Sequence, residues 1–387
     1  MISTPIAYIA KSKIPSRHAN SVQVVNMICA FSSLTPSLDV YLPGGLSRKL
    51  KTFLGTLFHN YGHEIPRNAS IHFSKESSKN KHSFEDKVLR ALSSKQPRLA
   101  FTRSPYVAWK LVEQQRPVIF ESHWFSRDAE EIPIQRFSSL VSSSSGSGVV
   151  TTCPAITAAY IETGLDASRI LTLSNSVNID TFLKSPAGGL KKLFGARVCD
   201  LPVILYTGSL GQGKGARFLA EAIPHLGNIH IAIIGGNKAE IDQLKNIHGD
   251  HPGLFLHPAV PHKDIPSILQ DAAALIMPYL NEGTLVPYMC PLKMFEYLAT
   301  GKPILSADLP AIRTALQHDH NALLFKAGSA SALKDQIKRL LGMSELETQT
   351  LRRNQLDTVA RFSWINRAKT ILDWHSNFTQ ASRRNHP

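Results

Sequence analysis

The sequence predicts two α/β domains, each built on a parallel β-sheet with helices on both faces. Its 387 residues are too many for one ordinary hydrophobic core and suit two domains of average size. Short apolar runs alternate with helical segments in both halves, and such alternation is typical of parallel sheets. Between the halves, residues 183–200 lack clear periodicity and contain proline and glycine. We therefore predict domains at 1–185 and 186–365, followed by a closing helix at 366–387.

The first half opens with a predicted strand at 6–10 and a helix at 21–33, whose apolar positions suit packing on a sheet. Residues 47–59 form a second predicted helix, with leucine and phenylalanine on one side and basic residues near its start. The polar stretch 62–83 is predicted to be a mobile loop. Further strand-like runs follow near 98–103, 117–123 and 148–153.

The second half repeats the alternation. Helices are predicted to begin at Ala216 and to span 238–247 and 263–270. Another helix, 291–300, is closed by Gly301, because glycine is the usual residue after a helix end. Five apolar runs are the predicted strands, of which the last clear one is 303–308: 202–208, 229–236, 254–260, 273–279 and 303–308.

The charge balance points to an anionic partner. Lys and Arg total 43 against 29 Asp and Glu, a net charge of +14. Nucleic acid, anionic lipid and phosphorylated substrates all fit such an excess, and a solvated basic surface is the alternative. No helix-turn-helix, RNP-like or zinc-finger pattern supports nucleic acid.

The sequence predicts neither a membrane span nor a metal site. No apolar run reaches the roughly 18 residues that a bilayer requires, and the start has too short an apolar stretch for a secretion signal. We therefore expect a cytoplasmic protein. The cysteines form no CxxC pair. His59 and His63 are four residues apart and could bind a metal from one helix, but no third ligand is apparent, so no metal site is predicted.

A glycine-rich loop, "TGSLGQGKGARF" at 207–218, lies between a predicted strand and helix. Amides at a helix start can receive phosphate oxygens, glycine allows close approach, and Lys214 adds a positive charge. The spacing GxxxxGK begins a P-loop, but Gly215 stands where a Ser or Thr would hold Mg²⁺. The loop therefore indicates phosphate rather than an ATPase site, and a tight turn with a solvated lysine is the alternative.

The segment "YMCPLKMFEYLATGKPIL" at 288–305 carries a second candidate. Pro291 is predicted to occupy the first helical position, where its missing amide proton costs nothing. Lys293 and Glu296 then share a helix face near the helix start. The lysine and the free amides suit a diphosphate, and the carboxylate suits a ribose diol. An ordinary surface Lys–Glu pair is the alternative.

These segments, together with "IAIIGG", "LIMPY", "SADLPAIR" and "NALLF", resemble in content and order the retaining glycosyltransferases of family 4. In the first half, "KIPSRHANSVQVVNMICAF", "FTRSPYVAWKLVEQQRPVIFESH" and "LSNSVNIDTF" look like the family's other segments, and "FSWINRA" is similar to its closing helix. The resemblance covers nearly the whole chain. It implies a GT-B fold, with two Rossmann-like, doubly wound domains facing a central cleft. The first domain would bind the acceptor, the second would bind the nucleotide-sugar donor, and 366–387 would pack back on the first domain.

The resemblance assigns roles to the donor residues. Lys214 would bind the donor phosphates, Glu296 the ribose hydroxyls, and the backbone through Leu292 the diphosphate. In the first half the resemblance places His123 in the cleft near the donor sugar and the reacting centre. Arg103 and Glu121 would flank the same sheet edge, and Asn20 would face the cleft near the acceptor or the diphosphate.

Two departures from the family pattern affect the predicted donor site. Tyr288 stands where the family often has a sugar-contacting glutamate, and Glu282 is a substitute nearby. Ser209 stands where the family commonly has a phosphate-binding arginine. Lys293 is placed to restore that lost charge. The departures leave the donor sugar open.

The resemblance implies transfer of a sugar from a nucleoside-diphosphate sugar to an acceptor hydroxyl, with retention of configuration and without a metal or other cofactor. Cell-surface polysaccharide, lipopolysaccharide or glycolipid synthesis is the expected setting. A noncatalytic nucleotide-sugar-binding relative and a sugar-nucleotide epimerase of the same architecture are the alternatives.

The apolar side of residues 46–58, with its adjacent cations, predicts docking on an anionic membrane surface that presents a lipid-linked acceptor. The protein would then be peripheral on the inner face of the plasma membrane. A core helix with a basic rim is the alternative.

Overall fold

The computed structural model describes residues 5–16, 18–44, 50–95, 97, 99–125, 132–248, 251–284 and 286–384. Contacts divide the chain into two units, which we call the first and the second unit. The first comprises Met1–Asn175 with Trp364–Pro387, and the second comprises Ser176–Ser363. The predicted boundary between residues 185 and 186 falls inside the second unit.

The first unit is built on a seven-stranded sheet in which every strand pair is parallel. Its strands are β1 (Ile6–Ile9), β2 (Leu38–Pro43), β3 (Ala69–Ser74), β4 (Leu99–Thr102), β5 (Val118–Ser122), β6 (Gly148–Thr151) and β7 (Ile170–Thr172). They lie in the order β3-β2-β1-β4-β5-β6-β7. The central strands are buried along their whole length, as expected for a parallel sheet covered on both faces.

Helices cover this sheet, and the last helix of the chain is among them. They are α1 (Ala19–Leu34), α2 (Leu50–His59), α3 (Ser83–Lys95), α4 (Pro105–Glu113), α5 (Ile134–Ser143), α6 (Pro154–Ile161) and α15 (Trp364–Arg384). Helix α15 packs against α1. Its Trp374 ring lies so close to Gly148 that a Cβ added there would overlap with it. The closing helix is therefore fitted to the first sheet in detail.

The second unit contains a six-stranded sheet, again parallel throughout. Its strands are β8 (Val203–Thr207), β9 (His230–Ile234), β10 (Leu254–His257), β11 (Ala274–Met277), β12 (Ile304–Ala307) and β13 (Leu323–Phe325), in the order β10-β9-β8-β11-β12-β13. Its helices are α7 (Ile179–Leu183), α8 (Gly189–Phe194), α9 (Ala216–Ala222), α10 (Lys238–His248), α11 (Ile265–Gln270), α12 (Leu292–Thr300), α13 (Ala330–Leu341) and α14 (Glu345–Val359).

The predicted fold class is confirmed, with corrections to single elements. Strand β3 lies inside the stretch 62–83 that was predicted to be a mobile loop. It is an edge strand with half-exposed residues, so its sequence lacks the apolar pattern of a buried strand. Strands β2, β7 and β13 had not been predicted. Helix α12 ends before Gly301, which has the positive φ of 67° that favours glycine.

Both sheets have a switch point, where the strand order reverses and crossovers leave in opposite directions. It lies between β1 and β4 in the first unit and between β8 and β11 in the second. In open α/β sheets, ligands bind beyond the carboxyl ends of the strands at this point. Arg103 directly follows β4, and the glycine-rich loop directly follows β8. Both positions are therefore candidate ligand sites.

The predicted membrane-docking segment, residues 46–58, lies largely outside the described residues, because positions 45–49 and most side chains up to residue 53 are not described. In the parts of the chain that are described, no helix combines the length and the apolar composition that a bilayer span requires. Helix α2 ends at His59, so His63 does not continue it; the Nε2 atom of His63 lies 3.0 Å from Asn26 Oδ1.

Candidate functional site

The glycine-rich loop after β8 packs directly on neighbouring backbone. Gly215 has φ of 80°, and a Cβ on it would overlap with the carbonyl oxygen of Pro278. A Cβ on Gly235, which follows β9, would overlap with the carbonyl of Gly208. The Leu280 amide donates to the Gly213 carbonyl at 3.0 Å. Glycine is therefore required where the turns after three adjacent strands meet.

Two lysine amines converge on a pair of buried tyrosine rings next to this loop. Lys293 Nζ lies 3.8 Å from the centre of the Tyr206 ring and 5.6 Å from that of Tyr279, and Lys214 Nζ lies 5.2 Å from the Tyr279 centre. The Lys293 amine is buried and has no hydrogen-bond partner among the residues that the structure describes. The Tyr206 hydroxyl donates to the Ser209 carbonyl at 2.5 Å, which ties this ring to the loop.

Burial acts on both amines, and the charge of Lys214 acts in addition on Lys293. Burial lowers the pKa of Lys214. Burial, followed by the charge of Lys214, holds the pKa of Lys293 well below its usual value, and Glu296 opposes this only in part. Neither lysine is within salt-bridge distance of a carboxylate in the described residues. Two amines without a carboxylate partner, one in the glycine-rich loop and one at the start of α12, form a site suited to an anion.

Gly208 gives the Lys293 side chain its room. A Cβ at this position would lie 2.6 Å from Nζ and 3.0 Å from Cε of Lys293, and Gly208 has φ of 134°. The invading atoms would displace the amine from the tyrosine rings. The glycine-rich loop and helix α12, which the sequence presents as two separate motifs, therefore pack against each other in one site.

Glu296 is not paired with Lys293. Its Oε1 atom lies 2.8 Å from His262 Nε2, and both side chains are largely buried. The alternative of a surface Lys–Glu pair therefore does not hold. Pro291 is the N-cap of α12 and not its first residue, so the helix begins one position later than predicted, and no side chain in the described residues caps it. Leu292 is consequently the first helical residue.

The remaining predicted donor residues, Ser209, Glu282 and Tyr288, are exposed or half-buried. Ser209 is exposed, and its carbonyl accepts the Tyr206 hydroxyl. Tyr288 is half-buried at the end of a short 3-10 helix, Val286–Tyr288. Glu282 is exposed, but a Cβ on Gly213 would lie 3.5 Å from its carbonyl oxygen. None of these three adds a basic side chain or a buried carboxylate to Lys214, Lys293 and Glu296.

A buried carboxylate organises the candidate site of the first unit. Glu121 lies in β5, and its Oε1 atom is 2.7 Å from Arg367 Nη2. Its Oε2 accepts a hydrogen bond from Gln23 Nε2 at 2.8 Å and lies 3.4 Å from His123 Nε2 and 3.8 Å from Arg103 Nε. One carboxylate thus contacts side chains from four different segments of the chain.

Charge compensation decides the protonation states in this cluster. Burial alone would raise the pKa of Glu121, but Arg367, ahead of His123 and Arg103, holds it well below its usual range. Burial, followed by the charge of Arg103, lowers the pKa of His123 to about 4, and Glu121 opposes this only in part. At neutral pH, Glu121 is therefore ionised and His123 is a neutral imidazole.

A cavity of about 100 Å³ lies beside His123 and Arg103. Its remaining walls are mainly apolar, including the half-exposed Trp124. Asn20 is exposed at the start of α1, and its carbonyl lies 3.4 Å from Arg103 Nη1. The structure thus places all four predicted residues of the first unit close together at the carboxyl edge of its sheet.

Sequence reasoning missed five residues that complete these two clusters, because nothing in their local sequence marks them: Gln23, Tyr206, His262, Tyr279 and Arg367. Arg367 lies in the segment "FSWINRA", which had been singled out only as a closing helix. Tyr206 and Tyr279 look like ordinary core residues at strand ends. No cluster of three or more His, Cys, Asp or Glu side chains suited to a metal occurs in the described ranges.

Residues 201–343 match the family model described as "Glycosyl transferases group 1". The matched region contains the glycine-rich loop and the whole of α12. It covers less than half of the chain. No curated protein matches the sequence.

Solved structures resemble the chain over almost its whole length. The Anabaena protein HepE in complex with UDP-glucose is 17% identical with a TM-score of 0.72, and the match covers 97% of this chain and 100% of HepE. A glycosyltransferase from Rickettsia africae is 14% identical with a TM-score of 0.74, covering 98% and 99%. Sucrose-phosphate synthase from Thermosynechococcus elongatus is 15% identical with a TM-score of 0.73, covering 98% and 100%. At these identities the likeness concerns the fold.

Proposed function

We propose that the chain is a glycosyltransferase that uses a nucleoside-diphosphate sugar. The observation that carries the proposal is the pair of unpaired amines, Lys214 and Lys293, at the junction of a glycine-rich loop and a helix start. A diphosphate supplies the negative charge that this arrangement lacks. The group 1 match over residues 201–343 supports the same assignment.

The second unit would act on the leaving group. When the bond between the anomeric carbon and the diphosphate breaks, negative charge grows on the phosphate oxygens. Fixed cations and helix-start amides stabilise that charge most where it develops. Lys214, Lys293 and the amides near Leu292 would do this without a divalent metal. Glu296, held by His262, would accept hydrogen bonds from the ribose hydroxyls.

The first unit would present a neutral histidine to the sugar. His123 stays uncharged because its pKa lies near 4, so it can donate or accept a hydrogen bond without adding positive charge. Arg367 and Glu121 would fix its surroundings. Transfer with retention of configuration, as in family 4, belongs to this proposal, and Tyr288 or Glu282 would contact the donor sugar.

The wider setting is also proposed. The basic composition, with a net charge of +14, favours an acceptor that carries phosphate or lies at an anionic membrane. We therefore place the protein in the cytoplasm or at the inner face of the plasma membrane, acting on a glycan or lipid-linked acceptor in the synthesis of a cell-surface polysaccharide, a lipopolysaccharide or a glycolipid.

A thermal-shift screen with UDP, GDP, ADP and their sugars tests the proposal. A ligand that binds only the folded protein raises the melting temperature by mass action. UDP-glucose is the first donor to try, since HepE was solved with it. We expect one nucleotide series to stabilise the protein, and slow hydrolysis of the matching sugar in the absence of acceptor. Protein that stays unstabilised by every member would contradict the proposal, and binding without hydrolysis or transfer would favour a noncatalytic relative.

Glu296→Ala should weaken nucleoside-diphosphate binding about ten- to a hundredfold, because hydrogen bonds to a charged group are worth roughly 1.5–3 kcal/mol. Inorganic pyrophosphate has no ribose, so its affinity should change little. Calorimetric titration of both ligands checks this difference. Glu221→Ala, on the exposed side of α9, is the matched control. An equal loss for both ligands would show that Glu296 acts on the phosphates or on folding, and not on the ribose.

A further inference from the structure

We propose that the second unit takes up a proton when it binds the donor diphosphate, and that the Nζ atom of Lys293 receives it. The inference rests on the proposed function, since a nucleoside diphosphate brings the negative charge. It adds a dependence of donor binding on pH. A lysine that is charged both before and after binding would contact the phosphate without such a dependence.

The surroundings of Lys293 Nζ satisfy an ammonium poorly. An ammonium has three N–H donors, and a buried charged donor without acceptors is costly. Within the described part of the chain, the Lys293 amine is buried without a hydrogen-bond partner and faces the rings of Tyr206 at 3.8 Å and Tyr279 at 5.6 Å. Ring faces attract a cation, but they do not replace strong acceptors. In the free protein the geometry therefore leaves the charged form under-stabilised.

The other charges around this amine do not compensate. Lys214 reaches over the same Tyr279 ring from the glycine-rich loop and repels a second cation there. Glu296, on α12 itself, bonds to His262 at 2.8 Å. Burial raises the pKa of Tyr206 and of Tyr279, so both phenols stay neutral. The net field at Lys293 is positive, which agrees with its lowered pKa.

A diphosphate supplies both the hydrogen-bond acceptors and the negative charge that Lys293 lacks, because its oxygens bind at the helix start. Binding therefore raises the pKa of Lys293. Between the pKa of the free protein and that of the complex, the free amine is mostly neutral and the bound amine is charged. In this window each binding event takes up a proton. The affinity should fall as pH rises, by up to about tenfold per pH unit.

Calorimetry in buffers of different ionisation enthalpy measures the coupling. The donor is the sugar nucleotide that stabilises the protein in the thermal-shift screen, titrated at about pH 8.5. Both of its phosphates are doubly linked, so each carries one negative charge throughout this range and neither takes up nor releases a proton. We expect uptake of up to about one proton in the wild type. Lys293→Met keeps an unbranched side chain but removes the amine, and it should abolish the uptake. Lys238→Met, on the exposed face of α10, should retain it.

The outcomes separate the two proposals. Donor binding without proton uptake in the wild type, or uptake that persists in Lys293→Met, would overturn the coupling and leave the transferase proposal standing. Failure of every nucleotide to bind would overturn both. Should Lys293→Met not fold, the pH dependence of wild-type affinity decides, because an affinity that is constant across the alkaline range contradicts the inference.

Discussion

Lys214→Ala is expected to lower sugar transfer about a hundredfold or more, the size of effect seen when one preorganised group that stabilises transition-state charge is removed. The half-buried amine makes no ion pair in the described part of the chain and lies over the same Tyr279 ring as the Lys293 amine. Removing it breaks no ion pair and leaves one amine fewer to desolvate, so the ligand-free protein should unfold at the same temperature or a higher one. Turnover with saturating donor and thermal unfolding, measured on one preparation, check both statements.

Lys245→Ala serves as the control, because this lysine is exposed on α10 and outside the candidate site. It should keep wild-type turnover. Near-normal transfer by Lys214→Ala would refute its assignment to the donor phosphates. A lowered melting temperature together with lost activity would instead indicate a structural role for the lysine.

Arg367→Met is expected to destabilise the first unit by about 3–5 kcal/mol, because removing one member of a buried ion pair leaves the other charge uncompensated. Arg367 Nη2 lies 2.7 Å from Glu121, and both side chains are almost completely buried. The same guanidinium donates to the carbonyls of Leu173 and Ser174 at 3.2 and 3.0 Å. Denaturant unfolding of the purified variant measures the loss.

A second substitution identifies the cause of that loss. If the unpaired charge dominates, adding Glu121→Gln to Arg367→Met should recover part of the lost stability, since the buried group is then neutral. Lys369→Met, exposed on the same helix two positions further on, should unfold like the wild type. A double variant less stable than Arg367→Met would assign the loss to packing and to the two carbonyl contacts instead.

The sequence was sufficient for the elements that have a strong pattern. Buried strands such as β8 and β9 are continuous apolar runs, and α12 has both its periodicity and its closing Gly301. It was insufficient where burial is partial or the element is short. Strand β3 is a half-exposed edge strand, and β7 and β13 span three residues each. Strand order was not predictable either, because it depends on pairing between segments far apart in the chain.

The candidate site divides in a similar way. Lys214, Lys293 and Glu296 stand in local motifs, so sequence spacing could single them out. The residues that surround them in the structure do not stand in such motifs. Tyr206 lies near the end of β8 and Tyr279 shortly after β11, far apart in the sequence, and only the sheet places both rings under the Lys293 amine. Arg367 reaches Glu121 from the other end of the chain.

That last contact constrains the order in which the protein can mature during synthesis. The first unit is interrupted in sequence by the whole of Ser176–Ser363, and α15 completes it only afterwards. A nascent chain therefore displays Glu121 long before its guanidinium partner has been translated. Domains generally fold as units from the N-terminus onward, but here the second unit is made in full before the first can close. We expect ribosome-bound chains that stop before Trp364 to leave the first unit protease-sensitive while the second is already resistant.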